Sequence, residues 1–379
     1  MTTPTVNSSL HPIPDISRWA RALQDVASEP LEFLSDFPVI AQRHEAWWHQ
    51  AADRPLFLAE VNAEPSRPIT RRLNLLERPD DWFDVKFTDL KKTYRVGDTL
   101  PNIRADFGAV LMGGLLGGDR EESADTSWTV HFLDDDWSNA PDWSTIREDN
   151  VWLQTMRAAL LRAAADAPGR YLVCTPDIGS SGDTLITLRG STNLCLDILD
   201  RPDDVRTAVD GLYFAWRQAF MELYQCTVDQ GAGMFHFFGL WSNQPYTLQA
   251  CDLNALISPQ HFQEIFLPDV ARQAATAGRA FFHLDGPRAA IHIDALLEVE
   301  ELQAIQFTPG AGTPSALAWI DMFRKIQAAG KSVLVICPGD EVLDLCVALD
   351  PSALGILVEG VSSPAELDDL YTEFRRLYP

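Results

Sequence analysis

The sequence predicts an α/β fold, a (β/α)8 TIM barrel with an N-terminal helical extension and excursions in its βα loops. Three observations favour it. Eight short apolar runs alternate with longer segments of helical periodicity, which is the pattern of βα units around a parallel sheet. The glycine-rich phosphate-binding motifs of doubly wound sheets do not occur in a usable context. A chain of 379 residues is also long enough for a barrel.

The apolar runs place the strands. They are predicted at residues 55–62, 108–114, 171–176, 248–253, 280–285, 302–308, 332–337 and 355–360. Helix signals separate the later strands, because one segment begins at Ser258-Pro259 and ends at Gly278, and another ends at Gly330. Two stretches with many aromatic residues, 119–143 and 227–247, exceed a minimal barrel. They are predicted to be loop excursions that wall a pocket above it.

The chain is predicted to have three parts. Residues 1–13 are polar and are expected to be disordered, and residues 14–54 form an N-terminal helical segment. Residues 55–379 form the barrel itself.

Composition excludes several classes of protein. The net charge of −24 argues against binding to nucleic acid or to anionic membrane surfaces. No apolar run reaches the length of about 18 residues that a membrane span needs, and no charged-then-apolar leader is visible. The six cysteines are scattered without a Cys-x-x-Cys pair, which indicates reduced thiols. These features together predict a cytoplasmic protein.

The segment "FFHLDGP" (281–287) is the first candidate for chemistry. Alternation along a strand puts His283 and Asp285 on one face. The pair is either a metal or catalytic pair at a barrel mouth or a hydrogen-bonded structural pair at the end of a strand.

Several segments resemble one family. "CDLNALISPQHFQEIFLPDV" (251–270) is similar to the strand and "LSPxxFxEFxxP" signature of the uroporphyrinogen decarboxylase superfamily. This superfamily includes zinc-dependent methyltransferases that move methyl groups between corrinoid proteins and thiols. "FFHLDGP" lies where those enzymes carry His-x-Cys, and "GILVEGVSSPAEL" (355–367) resembles their last strand, where a further Cys lies. Residues 175–205 resemble the third strand and the helices after it. The resemblance covers roughly residues 50–379 and implies a TIM barrel with the site at the carboxyl ends of its strands.

The departures from the family make this a divergent member. The Arg-rich "MRQAGRY" segment of the haem-pathway decarboxylases is absent, so that activity is not expected. The resemblance implies a metal site of His283, Asp285 and Glu359, with Cys337 as a possible soft ligand. A histidine with carboxylates suits a divalent metal, zinc first.

Further candidates come from the strand ends and from the aromatic stretch. Asp252, with His283 and Asp285, is expected to be catalytic. The predicted substrate-binding residues are Arg67, Arg71, Asp177, His236, Trp241 and Gln306. An alternative for His236 is packing among aromatic rings, and an alternative for Asp252 is a helix N-cap.

Three functions remain open at this point. The first is a metal-dependent methyl- or alkyl-group transferase that activates a thiol or small nucleophile, with a corrinoid protein as partner. The second is a metal-independent decarboxylase or lyase for a small carboxylated or aromatic substrate, in which Arg67, Arg71 or Arg72 binds the carboxylate. The third is a non-catalytic member of the family, because both Cys ligands are missing. The resemblance also implies a homodimer.

Overall fold

Parallel strands form the centre of the protein. The computed structural model describes residues 15–65, 78–109, 111–122, 127–133, 137, 140–310, 312 and 315–378. Within these ranges the strands are β1 (Leu56–Val61), β2 (Tyr94–Gly97), β3 (Asn102–Arg104), β4 (Arg120–Glu122), β5 (Ser127–Thr129), β6 (Leu172–Thr175), β7 (Met234–His236), β8 (Thr247–Ala250), β9 (Ala280–Asp285), β10 (Leu302–Thr308), β11 (Ser332–Pro338) and β12 (Leu354–Glu359).

Helices surround the strands. The α-helices of the described residues are Ser17–Ala27, Phe37–Trp48, Pro79–Lys92, Met112–Leu115, Val151–Asp166, Ser181–Arg189, Ser191–Asp200, Pro202–Gln225, Pro259–His261, Leu267–Ala277, Gly286–Ala289, Ile293–Leu297, Ile320–Ala328, Val342–Ala348 and Pro364–Leu377. A π-helical turn, Phe262–Phe266, joins two of them. Six short 3-10 helices are also described: Val228–Gln230, Asp252–Leu256, Ala290–His292, Ala316–Trp319, Gly339–Glu341 and Pro351–Ala353.

The strands pair in two main sheets. The larger has the order β2-β1-β12-β11-β10-β9-β8, and the smaller has the order β3-β6-β7. All pairs are parallel except β1 with β2, while β4 and β5 form an antiparallel hairpin. Because parallel strands end at the same edge of a sheet, the carboxyl ends of β8, β9 and β10 lie side by side. The hydrogen-bonded ladders among the described residues form these separate sheets and do not complete a closed ring.

Most predicted strands are confirmed. Seven of the eight apolar runs contain a strand, although the run at 248–253 is shortened to Thr247–Ala250. The prediction for 108–114 is wrong, because its described residues form no strand and the short helix Met112–Leu115 begins within it, while the strand lies earlier, at Asn102–Arg104. A short apolar run does not distinguish a strand from a buried helical turn. The glycines in this run allow a close approach, since a Cβ at Gly114 would meet the Trp152 ring.

The excursion predicted at 227–247 needs correction. Its residues Met234–His236 pair in parallel with β6 and therefore belong to the central strands. The segment continues to β8, and the Tyr246 hydroxyl accepts a hydrogen bond from the His236 backbone N–H at 2.8 Å. The excursion predicted at 119–143 contains the β4–β5 hairpin, which stands apart from both parallel sheets.

The N-terminal segment contains the helices Ser17–Ala27 and Phe37–Trp48. The second packs at the amino ends of the strands, where the Ser332 hydroxyl donates to the Trp47 carbonyl at 2.5 Å. The disorder predicted for residues 1–13 falls outside the described residues. Among the helices that are described, none combines the length and the apolar character needed to cross a membrane.

Candidate metal centre

Three side chains converge at the carboxyl ends of β8 and β9. Asp252, His283 and Asp285 each offer a ligand atom, and these atoms lie within 4.8 Å of one another. No other group of three or more His, Cys, Asp or Glu side chains with this arrangement occurs in the described part of the chain. Alternation along "FFHLDGP" predicts that His283 and Asp285 lie together, and the structure adds Asp252, which follows the neighbouring strand β8.

Strand geometry explains the convergence. In β9, Phe282 and Leu284 are fully buried, while His283 is half-buried and Asp285 is exposed on the opposite face. Ala250 of β8 is the register partner of His283, so the chain just beyond β8 runs beside the end of β9. Asp252 lies there, as the first residue of the 3-10 helix Asp252–Leu256.

A buried amide fixes the orientation of His283. Gln306, its register partner on β10, is completely buried, and its Oε1 is hydrogen-bonded to His283 Nδ1. The amide nitrogen donates to Thr308 Oγ1 at 3.1 Å, which leaves Oε1 to accept from Nδ1–H. The imidazole therefore carries its proton on Nδ1 and keeps Nε2 for a ligand. Metal-binding histidines are held in this way by an acceptor behind the ring.

An aromatic ring covers one side of the histidine. The Phe238 and His283 ring centroids lie 5.1 Å apart, with the planes inclined at 32°. Phe238 is buried and also packs edge-on against Phe281. This contact restricts rotation of the imidazole and keeps water away from that face.

The carboxyl groups at this edge affect one another. Although the Asp252 side chain reaches solvent, desolvation by the surrounding protein raises its pKa. The charge of His283 acts in the opposite direction, and the negative charges of Asp285 and Asp177 raise the pKa further. Neighbouring carboxylates of this kind repel one another unless a proton or a cation lies among them.

Asp183 supports the backbone of Asp252 and was not predicted from the sequence. It is buried in the helix Ser181–Arg189 and accepts a hydrogen bond from the Asp252 backbone N–H at 2.6 Å. Burial raises the pKa of Asp183 well above its ordinary value, and the charges of Asp252 and Asp177 add to the effect. The carboxyl therefore fixes the backbone that carries Asp252. An acidic residue in "DIGSSGD", the loop and helix start after β6, was the signal in the sequence.

The donor set fits a divalent metal ion. One imidazole nitrogen and two carboxylate oxygens are competent ligands for zinc, manganese or iron. A metal with donors at about 2.0–2.2 Å requires them to approach within about 3.5 Å of one another. Asp252 and Asp285 are both exposed, so small rotations of their side chains close this difference. A cation would also relieve the repulsion between the carboxylates.

Glu359 and Cys337 lie elsewhere. They line a separate cleft of about 610 Å³, together with Thr308 and Glu341. In the order β12-β11-β10-β9, Cys337 on β11 is two strands from His283 and Glu359 on β12 is three. Burial also raises the pKa of the Cys337 thiol above its ordinary value.

Of the other predicted site residues, Asp177 and Gln306 lie near the centre, whereas His236 and Trp241 lie in the interior of the protein. Asp177 follows β6 and lies near enough to raise the pKa of Asp183 and Asp252, while Gln306 supports His283 rather than facing a cavity. His236 is buried, with Nδ1 bonded to Thr175 Oγ1 at 2.9 Å and Nε2 to the Tyr246 carbonyl at 3.1 Å.

Desolvation lowers the pKa of His236 to about 4, as expected for a neutral histidine of the core. Trp241 is also buried, and its indole N–H donates to Asn243 Oδ1 at 2.7 Å. The structure thus places both residues in the interior, which agrees with the aromatic-packing alternative for His236. Arg67 and Arg71 lie outside the described residues.

Comparison with known proteins bears on the fold alone. No protein-family model and no curated protein sequence matches the chain. Among solved structures, a methyltransferase from Methanosarcina mazei is similar with a TM-score of 0.58 over 89% of this chain and 99% of that chain, at 10% sequence identity. The chain therefore has an α/β fold similar to that of this methyltransferase.

Proposed function

We propose that the protein is a metal-dependent methyl- or alkyl-group transferase, which activates a thiol at the centre formed by Asp252, His283 and Asp285. The convergence of these three side chains, with His283 held by Gln306, is the observation that carries the proposal. The structural similarity to a methyltransferase supports it at the level of the fold.

Each residue has a defined part in this proposal. His283 Nε2 and the carboxylates of Asp252 and Asp285 would hold a divalent metal, zinc first, which when bound lowers the pKa of a thiol. Gln306 keeps the proton on His283 Nδ1, and Phe238 excludes water from one face of the imidazole. A sulfur electron pair forms the new S–C bond, and the electron pair of the broken bond stays with the leaving group. The thiol proton passes to water, which reaches Asp252 and Asp285.

We infer that the two parallel sheets belong to one (β/α)8 barrel. The segments β7 and β8 would share the fourth barrel position, because β7 pairs with β6 and β8 pairs with β9. The centre then lies at the carboxyl ends of the strands, where barrel enzymes have their active sites. A corrinoid protein remains the proposed source or acceptor of the methyl group, as the sequence resemblance implies.

Removal of metal should abolish methyl transfer. The assay uses methylcobalamin as donor and a panel of small thiols with neutral, anionic and cationic tails, and the thioether product is measured by mass spectrometry. We expect the rate of the zinc-loaded protein to fall more than about 100-fold after treatment with a chelator and to return with one equivalent of zinc.

Two results would contradict the proposal. One is the absence of thioether with every thiol tested, and the other is a rate that is insensitive to chelation. Loss of carbon dioxide from a small carboxylate that persists in the presence of the chelator would instead support the metal-independent lyase.

A further inference from the structure

The cleft that contains Cys337 and Glu359 has the size of a small-molecule site. Its volume is about 610 Å³, and ligand pockets typically have volumes of about 300–1,000 Å³. It lies at the carboxyl ends of the neighbouring strands β10, β11 and β12. Thr308, which lines it, is the register partner of Asp285, so the cleft begins one strand away from the proposed metal centre. None of the three residues of that centre lines the cleft, which is therefore a separate site.

Two carboxylates give this cleft its charge. Glu359 is exposed at the end of β12, and Glu341 is half-buried in the short 3-10 helix that follows β11. In the described part of the chain neither carboxylate forms an ion pair, and no Lys, Arg or His lines the cleft. A bound cation would supply the opposite charge that both carboxylates lack.

Glu341 gives a second reason to expect a ligand. Its Oε2 atom is buried and accepts no hydrogen bond from a described residue. Among the residues that the structure describes, it is the only carboxylate oxygen in this condition. A buried acceptor without a donor costs free energy, and the cost is larger when the acceptor is charged. A ligand in the cleft that donates an N–H to this oxygen would remove the cost.

The walls of the cleft select one kind of cation. The ligand atoms of Cys337, Glu341 and Glu359 do not converge as those of the proposed metal centre do, which disfavours a metal ion. A quaternary ammonium group is typically held among aromatic rings, and no aromatic residue lines the cleft. A primary ammonium group instead carries three N–H donors and needs oxygen acceptors. The carboxylates, with the hydroxyl groups of Thr308 and Ser315, are acceptors of this kind.

We propose that this cleft binds the primary ammonium group of a small aliphatic amine. Glu341 and Glu359 accept hydrogen bonds from the ammonium group, and these bonds are strengthened by the opposite charges. The alkyl chain of the amine packs on the apolar side of the cleft, which is formed by Pro309, Ala316, Ile336 and Pro338. The inference goes beyond the proposed function, because amine binding requires neither the metal nor methyl transfer.

The test compares n-hexylamine, which is protonated at neutral pH, with 1-hexanol, which has the same alkyl chain without the charge. Titrations followed by NMR of the ligand, with metal-free protein in the presence of a chelator, measure both affinities. We expect the wild type to bind the amine at least about tenfold more tightly than the alcohol. The Kd of the amine should rise about tenfold or more in Glu341→Gln and in Glu359→Gln, since each variant loses one charge-assisted hydrogen bond.

Asp340→Asn is the matched control. Asp340 is an exposed carboxylate next to Glu341 in the sequence, but it does not line the cleft. Its removal tests general attraction of a cation to a chain of net charge −24. Because exposed charges are screened by salt, the Kd of the amine should stay within about threefold of the wild type.

Three results would overturn the proposal. They are equal affinity of the wild type for amine and alcohol, an amine affinity that neither glutamine variant lowers, and an equal loss in Asp340→Asn and Glu359→Gln. Glu359 is exposed, so Glu359→Gln decides the matter if Glu341→Gln does not fold. Amine binding without any methyl transfer would support this site while the proposed transferase fails. Methyl transfer without amine binding would do the reverse.

Discussion

Replacing His283 by alanine should weaken zinc binding more than about 100-fold. The imidazole is the half-buried member of the proposed centre, and Gln306 and Phe238 hold it in one orientation. Changes to the groups that support a metal ligand typically cost 10- to 100-fold in affinity, so the loss of the ligand itself should exceed that range. Calorimetry on metal-free protein measures the affinity. Zinc at about 100 times its Kd should also add about 2.7 kcal/mol to the free energy of unfolding of the wild type, and this gain should vanish in the variant.

Matched variants separate a ligand from a general effect on folding. His131 is exposed, and its Nδ1 is bonded to the Thr187 carbonyl, so His131→Ala should bind zinc as the wild type does. Gln306→Glu keeps an acceptor for His283 Nδ1–H and should bind zinc well, whereas Gln306→Leu removes it and should lose about 10- to 100-fold. Equal zinc affinity in His283→Ala and His131→Ala would remove His283 from the centre.

Replacing Asp98 by asparagine should cost about 3–5 kcal/mol of stability. The Asp98 carboxylate is completely buried and accepts hydrogen bonds from Arg43, Arg54 and the Phe57 backbone N–H. The change leaves two guanidinium groups without their shared negative charge, and both are largely buried. Urea unfolding at pH 7 measures the loss. Asp53→Asn is the matched control, because Asp53 pairs with the same Arg43 but is 75% exposed, and it should cost less than about 1 kcal/mol.

The effect of Asp98 should depend on pH. Burial alone would raise the pKa of this carboxyl, but the charge and hydrogen bonds of Arg54, helped by His44 and Phe57, hold it below its ordinary value. A carboxyl whose pKa is lower in the folded state stabilises the protein above its unfolded pKa of about 4, and this contribution is lost as the pH falls. The difference between the wild type and Asp98→Asn should therefore narrow below about pH 4. A difference that stays constant from pH 7 to pH 3 would contradict this account.

The sequence predicted those strands that form a continuous apolar run along the chain. Runs such as 302–308 and 332–337 are mostly apolar and lie between segments with clear helix signals. The two errors involve short elements. Asn102–Arg104 and Met234–His236 have only three residues each, too few for a hydrophobic pattern, and they become strands because they pair with β6. Their positions depend on contacts between distant segments, which a local pattern does not contain.

The candidate site shows the same difference between local sequence patterns and contacts of distant segments. His283 and Asp285 lie on one strand, so alternation alone placed them together, and Asp252 was added by the family resemblance. Asp183 supports Asp252 across 69 residues of sequence, a contact that no local pattern contains. Glu359 was predicted as a ligand because the last strand resembles the strand on which the relatives carry a Cys; it is not one of the three side chains that converge, and its part as a ligand stays a prediction.

Anomalous diffraction at the zinc absorption edge, from crystals grown with one equivalent of zinc, tests the central claim most directly. We expect one strong peak bonded to His283 Nε2, with carboxylate oxygens of Asp252 and Asp285 as the other protein ligands and an open position for substrate. A peak bonded to other residues, or no peak at this centre while zinc is bound in solution, would contradict the assignment of Asp252, His283 and Asp285 as the metal centre.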